Sequence, residues 1–323
     1  MDGTTNTTTM QPSEAPASTA LRPPRVSVLM PVYNGERWIR EALDSALAQT
    51  FRDFEIVVFD DGSTDSSRAI ALEYQAANPG RVRVFWQDNQ GLARVRNATL
   101  RVARGDLLAF LDCDDVWLPH HLATAVACFD READLAMVHA NIVRIGPSGE
   151  VLDPARPRWR ARHCGDPFAS LLLRREHISN VTAVVRRSVL DRVGDFDPRF
   201  HGCEDRDLWL RVAHDFPVRY VDEVTAYYRM HGSNTSGNLD RMLGARRQLV
   251  DKFATTRRGR ALRRRALAAI EMEAGAILRD AGRMRDARYA YLRAALRQPS
   301  RMAIWKGLAA TLVARRATDK ERI

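Results

Sequence analysis

At 323 residues, with 45% hydrophobic and 28% charged positions, the chain is long enough for one sizeable core plus an appendage and too apolar to be a disordered polypeptide. No run approaches the roughly 18 consecutive apolar residues of a membrane-spanning helix, and the Thr-, Ser- and Pro-rich residues 1–24 hold no apolar signal-peptide core, so a cytoplasmic protein with a disordered 1–24 segment is expected. The net charge of +10 is uneven: from Arg241 onward 22 Lys+Arg stand against 7 Asp+Glu, whereas the residues before it carry 28 against 33.

The first element is RVSVLMPVY (25–33), a β-branched apolar run that ends in NGE and is followed by helical spacing in RWIREALDSALAQ (37–49). The unit recurs. FEIVVFDD (54–61) runs through GSTD into a helix at 65–77, RVRVFWQ (81–87) runs through DNQG into a helix at 91–103, and DLLAFLD (106–112) supplies a fourth strand. Strands alternating with helices predict a mainly parallel sheet with helices on both faces. In such sheets ligands sit outside the carboxyl ends of the strands, and the polar clusters NGE, DDGSTD, DNQG and DCDD all fall there.

One acidic strand end alone is most simply a solvated turn; four polar clusters on one sheet edge make a site. DDGSTD offers Asp60 and Asp61, a glycine for an unusual backbone, and hydroxyls that can cap the next helix. GLARVRN offers Arg94 and Arg96, to pair with the aspartates or with phosphate. FLDCDDVWLP (110–119) concentrates Asp112, Asp114 and Asp115 after an apolar run. Beside a diphosphate such a D-x-D cluster requires a bridging divalent cation, Mn2+ or Mg2+, which oxygen ligands favour.

Further on, DLAMVHANIVRI (134–145) reads as a strand, and ISNVTAVVRRSVLDRVGDFDPRF (178–200) as a strand, a short helix and a turn. GCEDRDLWLRVAHDF (202–216) reads as an amphipathic helix with Glu204 and Asp205 in its first turn, where the macrodipole favours carboxylates. That position predicts an ionised but weakly basic Asp205. After residue 239 only helices follow, at 240–256, 260–280, 283–297 and 300–315, with a tetratricopeptide-like pair in AGRMRDARYAYLRAALRQPSRMAIW. The basic helices suit an anionic membrane surface or are simply solvated Arg-rich faces, and neither an aromatic-interleaved binding module nor a DNA-reading motif accompanies them, so nucleic acid is not expected as a partner. Cys113, Cys128, Cys164 and Cys203 stand singly, without a CxxC pair for zinc or redox chemistry.

In this order, PVYNGERWIREALDSALAQTFRDFEIVVFDDGSTD, NQGLARVRN, FLDCDDVWLP and GCEDRDLWLR resemble a family 2 glycosyltransferase of the GT-A fold, over residues 25 to 235. The resemblance implies a Rossmann-like GT-A sheet with a nucleotide-sugar half (25–133), an acceptor and catalytic half (134–238) and an appended helical region (239–323). It implies an inverting, metal-dependent transfer from a nucleotide diphosphate sugar, UDP- or dTDP-linked by preference, to a hydroxyl of a glycan or lipid-linked acceptor in surface polysaccharide synthesis, in the cytoplasm or at the inner face of the cell membrane. Pro31, Tyr33, Asn34, Glu36, Asp61, Arg96 and Asp112 are then the nucleotide-sugar residues, with Tyr33 against the base, Asp61 bonding it and Asp112 near the ribose. Asp114 is the metal ligand, Asp115 the alternative, and His231 in AYYRMHGSNTS completes the metal shell or touches diphosphate. Asp205 is the general base, with Glu204 orienting it or binding acceptor. The Pro- and Arg-rich stretch GPSGEVLDPARPRWRARHCGDP is expected to be an acceptor-side flap. Two alternatives stay open at this stage, a non-catalytic nucleotide-sugar-binding scaffold of the same fold and a sugar nucleotidyltransferase.

Overall fold

The structure is a computed structural model that describes residues 11–12, 22–152, 165–232 and 239–320. It divides into two compact units: Met1–His163 with His177–Asn234, and Cys164–Glu176 with Thr235–Ile323.

Among the described residues the first unit is built on nine strands: β1 (Gln11–Pro12), β2 (Val26–Val32), β3 (Phe54–Asp61), β4 (Val82–Gln87), β5 (Leu107–Phe110), β6 (Val116–Trp117), β7 (Met137–Ile145), β8 (Val184–Arg186) and β9 (Val218–Arg229). They form one mixed sheet in the order β1-β4-β3-β2-β5-β8-β7-β9-β6. The run β4-β3-β2-β5 is parallel, β8 is antiparallel to both β5 and β7, and β9 is parallel to β7. β2 and β3 are buried along their whole length, as strands covered on both faces must be. The sheet is packed by α1 (Ile39–Leu47), α2 (Ser67–Ala77), α3 (Leu92–Val102), α4 (His121–Arg131), α6 (Arg187–Val193) and α7 (Glu204–Asp215). Ile39, Leu43 and Ala46 of α1 and Leu122, Val126 and Phe129 of α4 enter the same core as Val28, Ile56 and Val58 of the strands.

The strand–helix alternation read from the sequence is present from β2 to β5, with boundaries within about two residues. In the segment expected to be disordered, Gln11 and Pro12 pair with Trp86 and Phe85; the rest of residues 1–21 lies outside the described residues, as does 153–164 of the expected flap.

At the amino ends of the strands, away from the polar clusters, Glu55 is 1% exposed and holds four donors: Ser27 Oγ at 2.7 Å, Arg104 N at 2.8 Å, and Arg83 and Arg104 guanidinium groups at 2.9 Å each. Burial pushes its carboxyl up, but the hydrogen bonds from Ser27, Arg104 and Arg83 outweigh it and hold the group below the usual carboxylate range. This cluster ties β2, β3, β4 and the turn after α3 together.

The second unit comprises α5 (Pro167–Leu172), α8 (Leu239–Phe253), α9 (Arg257–Asp280), α10 (Met284–Arg297) and α11 (Met302–Lys320). Tyr291 of α10 fills the space that Gly275 of α9 and Gly307 of α11 leave: a Cβ on either glycine would come within 2.9 Å or 2.4 Å of its ring. Small residues at helix crossings let backbones approach, and Ala287, Ala290 and Ala294 of α10 are fully buried for the same reason. Glu271, 3% exposed, bonds Arg247 and Arg293, and so fastens α9 to α8 and α10.

Candidate active site

The carboxyl ends of β2 and β3 carry the turns 33–36 and 62–66, which are laced together. Asn34 donates its backbone N–H to Ser63 Oγ at 2.9 Å and accepts Thr64 N–H on Oδ1 at 2.8 Å; Glu36 N–H reaches Asp65 Oδ2 and Glu36 Oε2 accepts from Ser66 N–H, both at 3.0 Å. Asn34 takes a left-handed backbone (φ 51°), which Asn tolerates better than most residues. Gly62 (φ 74°) has no alternative, because a Cβ there would lie 2.7 Å from Asn89 N. Asn34 and Glu36 thus spend their side chains on the neighbouring turn. Pro31 is buried in β2 opposite Phe59, while Tyr33 is 53% exposed at the tip.

Asp60 and Asp61 point to different tasks. Asp60 binds Arg68 through Nε and NH2 at 2.9 and 2.7 Å. Asp61, 2% exposed, accepts Gln87 Nε2 (2.7 Å), Gln90 N (3.0 Å) and Gly91 N (2.8 Å). It shapes the 87–91 turn with three of its roughly four acceptor sites.

Arg96 of α3 joins three parts of the sheet edge. Its NH2 bonds both oxygens of Asp112 at 3.0 and 2.9 Å, and its NH1 bonds Glu204 Oε1 at 3.0 Å. The guanidinium lies over the Phe196 ring, and only 6% of the side chain is exposed. Burial alone disfavours its charge, but Asp112, Glu204 and Asp205 outweigh that, so Arg96 stays cationic. Pairing with an aspartate, one of the two functions the sequence left open for this residue, is made with Asp112.

After β5 the chain turns within four residues, and its three aspartates part. Asp112 faces Arg96. Asp115, 1% exposed, turns inward and accepts the Arg229 backbone N–H on Oδ1 at 2.9 Å, its Oδ2 having no partner among the described residues. Asp114 faces His231, whose Nε2 lies 2.8 Å from its Oδ2. Burial and the neighbouring Asp112 charge raise the Asp114 carboxyl against the pull of His231, and burial with Asp114 and Asp112 raises Asp115 well above the ordinary range. Between Asp112 and Asp114, the Cys113 thiol packs on Gly35, where a Cβ would sit 2.7 Å from Sγ.

Two residues not singled out by sequence complete this corner. Trp38 stacks on the His231 ring (4.3 Å between centroids, 26° between planes) and donates Nε1–H to Pro147 O at 3.1 Å. Arg229, its side chain 1% exposed, donates Nε–H to Asp114 O at 2.8 Å and pairs with Glu41 of α1 at 2.5 Å. Neither carries a motif in the sequence: Trp38 reads as part of a helix start, and Arg229 as the polar end of a strand.

Asp205 requires a correction. Its place in the first turn of α7 predicted a readily ionised, weak base, whereas its carboxyl is raised to about 6: burial raises it most, the adjacent Glu204 adds to this, and Arg96 and Arg206 oppose. Desolvation and a like charge outweigh the helix end, whose effect is worth only about 1 kcal/mol. Glu204 is itself buried, one oxygen on Arg96 and the other without a partner among the described residues.

Among the described residues no three His, Cys, Asp or Glu groups converge as a ready-made metal cluster. The Asp114–His231 pair nevertheless fits a hard divalent cation: an oxygen and an imidazole nitrogen stand 2.8 Å apart, close to the roughly 3 Å between adjacent ligands of an octahedral ion with ~2.1 Å bonds. Crowded carboxylates whose protons are held too tightly are also relieved by a cation.

Residues 27–194 match the model of glycosyl transferase family 2. The chain belongs to that family. An uncharacterized glycosyltransferase of Nostoc sp. is 33% identical over 215 residues, 65% of this chain and 66% of the relative, so the match spans just under two thirds of that protein. Chondroitin synthase of Escherichia coli is 28% identical over 68% of this chain and 31% of its own length. Among solved structures, S. aureus TarS 1–349 in complex with UDP-GlcNAc superposes with a TM-score of 0.66 at 18% identity, covering 91% of this chain and 92% of TarS 1–349. The mannosyltransferase PcManGT of Pyrobaculum calidifontis, in complex with GDP-Man and Mn2+, gives 0.57 at 22% identity over 91% and 86%. These likenesses establish the GT-A fold for this family 2 chain.

Proposed function

We propose that this family 2 chain is an inverting glycosyltransferase that moves a sugar from a nucleotide diphosphate sugar to a hydroxyl of a glycan or lipid-linked acceptor during polysaccharide synthesis. The observation that carries it is the Arg96 bridge, which brings Asp112 at the end of β5 and Glu204 at the start of α7 to one cation, directly beside a carboxylate raised to about 6. A buried base poised near neutral pH at the mouth of a nucleotide-type sheet edge is what an acceptor hydroxyl needs.

Tyr33 stacks on the base at the exposed tip, Asp61 offers it a remaining lone pair, and the turns held by Asn34 and Glu36 frame it. Asp112 meets the ribose. Asp114 and His231 would hold a divalent cation, Mn2+ or Mg2+, with Asp115 behind them as a supporting carboxylate. A cation held there would supply charge neutralisation for the leaving diphosphate. Asp205 takes the proton from the acceptor hydroxyl as its oxygen bonds to the anomeric carbon from the face opposite the diphosphate. The carbon–oxygen bond to the diphosphate breaks with its electron pair, and the configuration inverts. Glu204 and Arg96 orient Asp205 and the sugar.

UDP and dTDP donors are favoured; TarS crystallised with UDP-GlcNAc supports a uridine donor, while PcManGT with GDP-Man and Mn2+ supports the metal and keeps guanosine within range. The basic helical unit faces an anionic membrane surface at the inner side of the cell membrane; no described helix is long and apolar enough to cross one. The proposal is tested with a panel of nucleotide sugars, scored for binding and hydrolysis in the wild type and in Asp205→Asn. A donor that binds Asp205→Asn normally but is neither transferred nor hydrolysed supports it; unchanged turnover in that variant sinks Asp205 as the base.

A further inference from the structure

We propose that the corner between α10 and α11 is a lipid-seating point, at which Leu296, Met302 and Trp305 enter the boundary between headgroups and acyl chains of an anionic bilayer. It deepens the membrane-facing role given to the helical unit and rests on that role, not on the transferase chemistry. The two helices are joined by only Gln298–Arg301, folded back by Gln298 N–H to Ala294 O and Arg301 N–H to Gln298 O. Leu296 lies in the last turn of α10 and is 80% exposed; Met302 opens α11 and is 66% exposed; Trp305, one turn later and 41% exposed, donates its Nε1–H to Pro299 O inside the connector. Three large apolar side chains are therefore presented to solvent within one helical turn of a tight corner. A single exposed leucine is unremarkable, but such a group needs an apolar neighbour. It also has a tail, because Tyr289 and Leu292 stand seven and four residues before Leu296 on the same exposed face of α10, opposite the buried Ala287, Ala290 and Ala294.

Charge decides what that neighbour is. Between Asp286 and Asp319 the sequence has no acidic residue, while 7 Lys+Arg fall in the same stretch. Arg297, Arg301 and Lys306 flank the three apolar residues, and Arg264 of α9 reaches the corner by donating to Arg297 O. Arg301 and Lys306 have no acidic partner among the described residues. A second copy of this chain is a poor occupant, since a two-fold interface would press the same cations on each other. An anionic bilayer satisfies both halves of the surface at once. Lipid phosphates take the cations, the apolar residues leave water, and Trp, with an apolar ring and a polar N–H already bonded, suits the interface.

The test uses the full chain with unilamellar vesicles of phosphatidylcholine alone and of phosphatidylcholine with phosphatidylglycerol. The expected result is sedimentation with the phosphatidylglycerol vesicles only, a blue shift of tryptophan emission that Trp305→Phe removes, and quenching of that emission by bromine-labelled acyl chains. Leu296→Ser/Met302→Ser is expected to partition about tenfold or more weakly, with an unchanged melting curve and unchanged donor binding in the absence of vesicles. Binding that survives in part at about 0.5 M salt, where surface electrostatics is screened, separates insertion from charge adsorption alone. The proposal is overturned if the double variant binds as the wild type does, if no Trp305-dependent emission change accompanies binding, or if the variant instead abolishes a dimer of the free chain. A chain that seats on vesicles yet binds no nucleotide sugar removes the transferase proposal and leaves this one standing.

Discussion

The Asp205 carboxyl sets the pH range of the chemistry. Its value in the folded protein is about 6, so the base is ionised above that pH and protonated below it; kcat/KM is expected to be flat from neutral pH upward and to fall tenfold per unit below about 6. A profile that stays flat to pH 5 contradicts the assignment. Asp205→Asn should lower kcat by about 10²–10⁴, the usual contribution of a positioned base, with donor affinity kept. At Arg96 the consequence is structural as well as catalytic. Arg96→Ala leaves Asp112 and the buried Glu204 without their cation, which should cost about 3–5 kcal/mol in denaturant unfolding, and Arg96→Lys should restore only part of it because one ammonium cannot serve the two carboxylates in the fork geometry. The position of Asp60, Asp61 and Asp112 at strand ends was legible in the sequence, because acidic clusters after apolar runs mark such ends. What was not legible is the neighbourhood: Asp205's basicity depends on burial contributed by distant residues, which no local spacing reports.

At the scale of elements, α3 and α7 bring their charged residues to one point, while Trp38 at the start of α1 and Arg229 at the end of β9 brace the Asp114–His231 pair. Trp38→Ala is expected to weaken Mn2+ binding about tenfold, as loss of a group that orients a ligand commonly does, and Trp38→Phe to retain most of it. Titration of Mn2+ by electron paramagnetic resonance in the presence of UDP reads this without turnover. The alternation of β2 to β5 with α1 to α3 was readable, since buried parallel strands are continuous apolar runs and the helices keep a 3.6-residue period. Most of β9 escaped because VRYVDEVTAYYR carries Asp222 and Glu223 mid-strand, and its pairing with β7 shifts register at Ala140 and Asn141. α4 was missed although Leu122, Val126 and Phe129 recur at helical spacing in HHLATAVACFDR; like α1 and α3 it has no side-chain cap bond to mark its start.

Across the whole molecule, the two edges of the sheet divide stability from function. The edge away from the polar clusters is fastened by Glu55 with Ser27, Arg83 and Arg104, and Glu55→Gln should destabilise the fold by about 3–5 kcal/mol while leaving donor affinity unchanged. Because Glu55 is held below its ordinary carboxylate value, its contribution is complete above that value and is lost as pH falls through the lowered one; acid unfolding of Glu55→Gln should accordingly be less steep than that of the wild type. The other edge carries the oxygens of Asp115 and Glu204 that have no partner among the described residues and the raised carboxyls of Asp114 and Asp205, a concentration of electrostatic cost that folding alone does not explain. The most direct measurement of that edge is binding of a panel of nucleotide sugars, with and without Mn2+, to the wild type, Asp114→Ala and Asp205→Asn. The account predicts one donor class that binds only with Mn2+, loses binding in Asp114→Ala, and binds Asp205→Asn without being transferred or hydrolysed. Failure of every donor to bind the wild type in the presence of Mn2+ would contradict it.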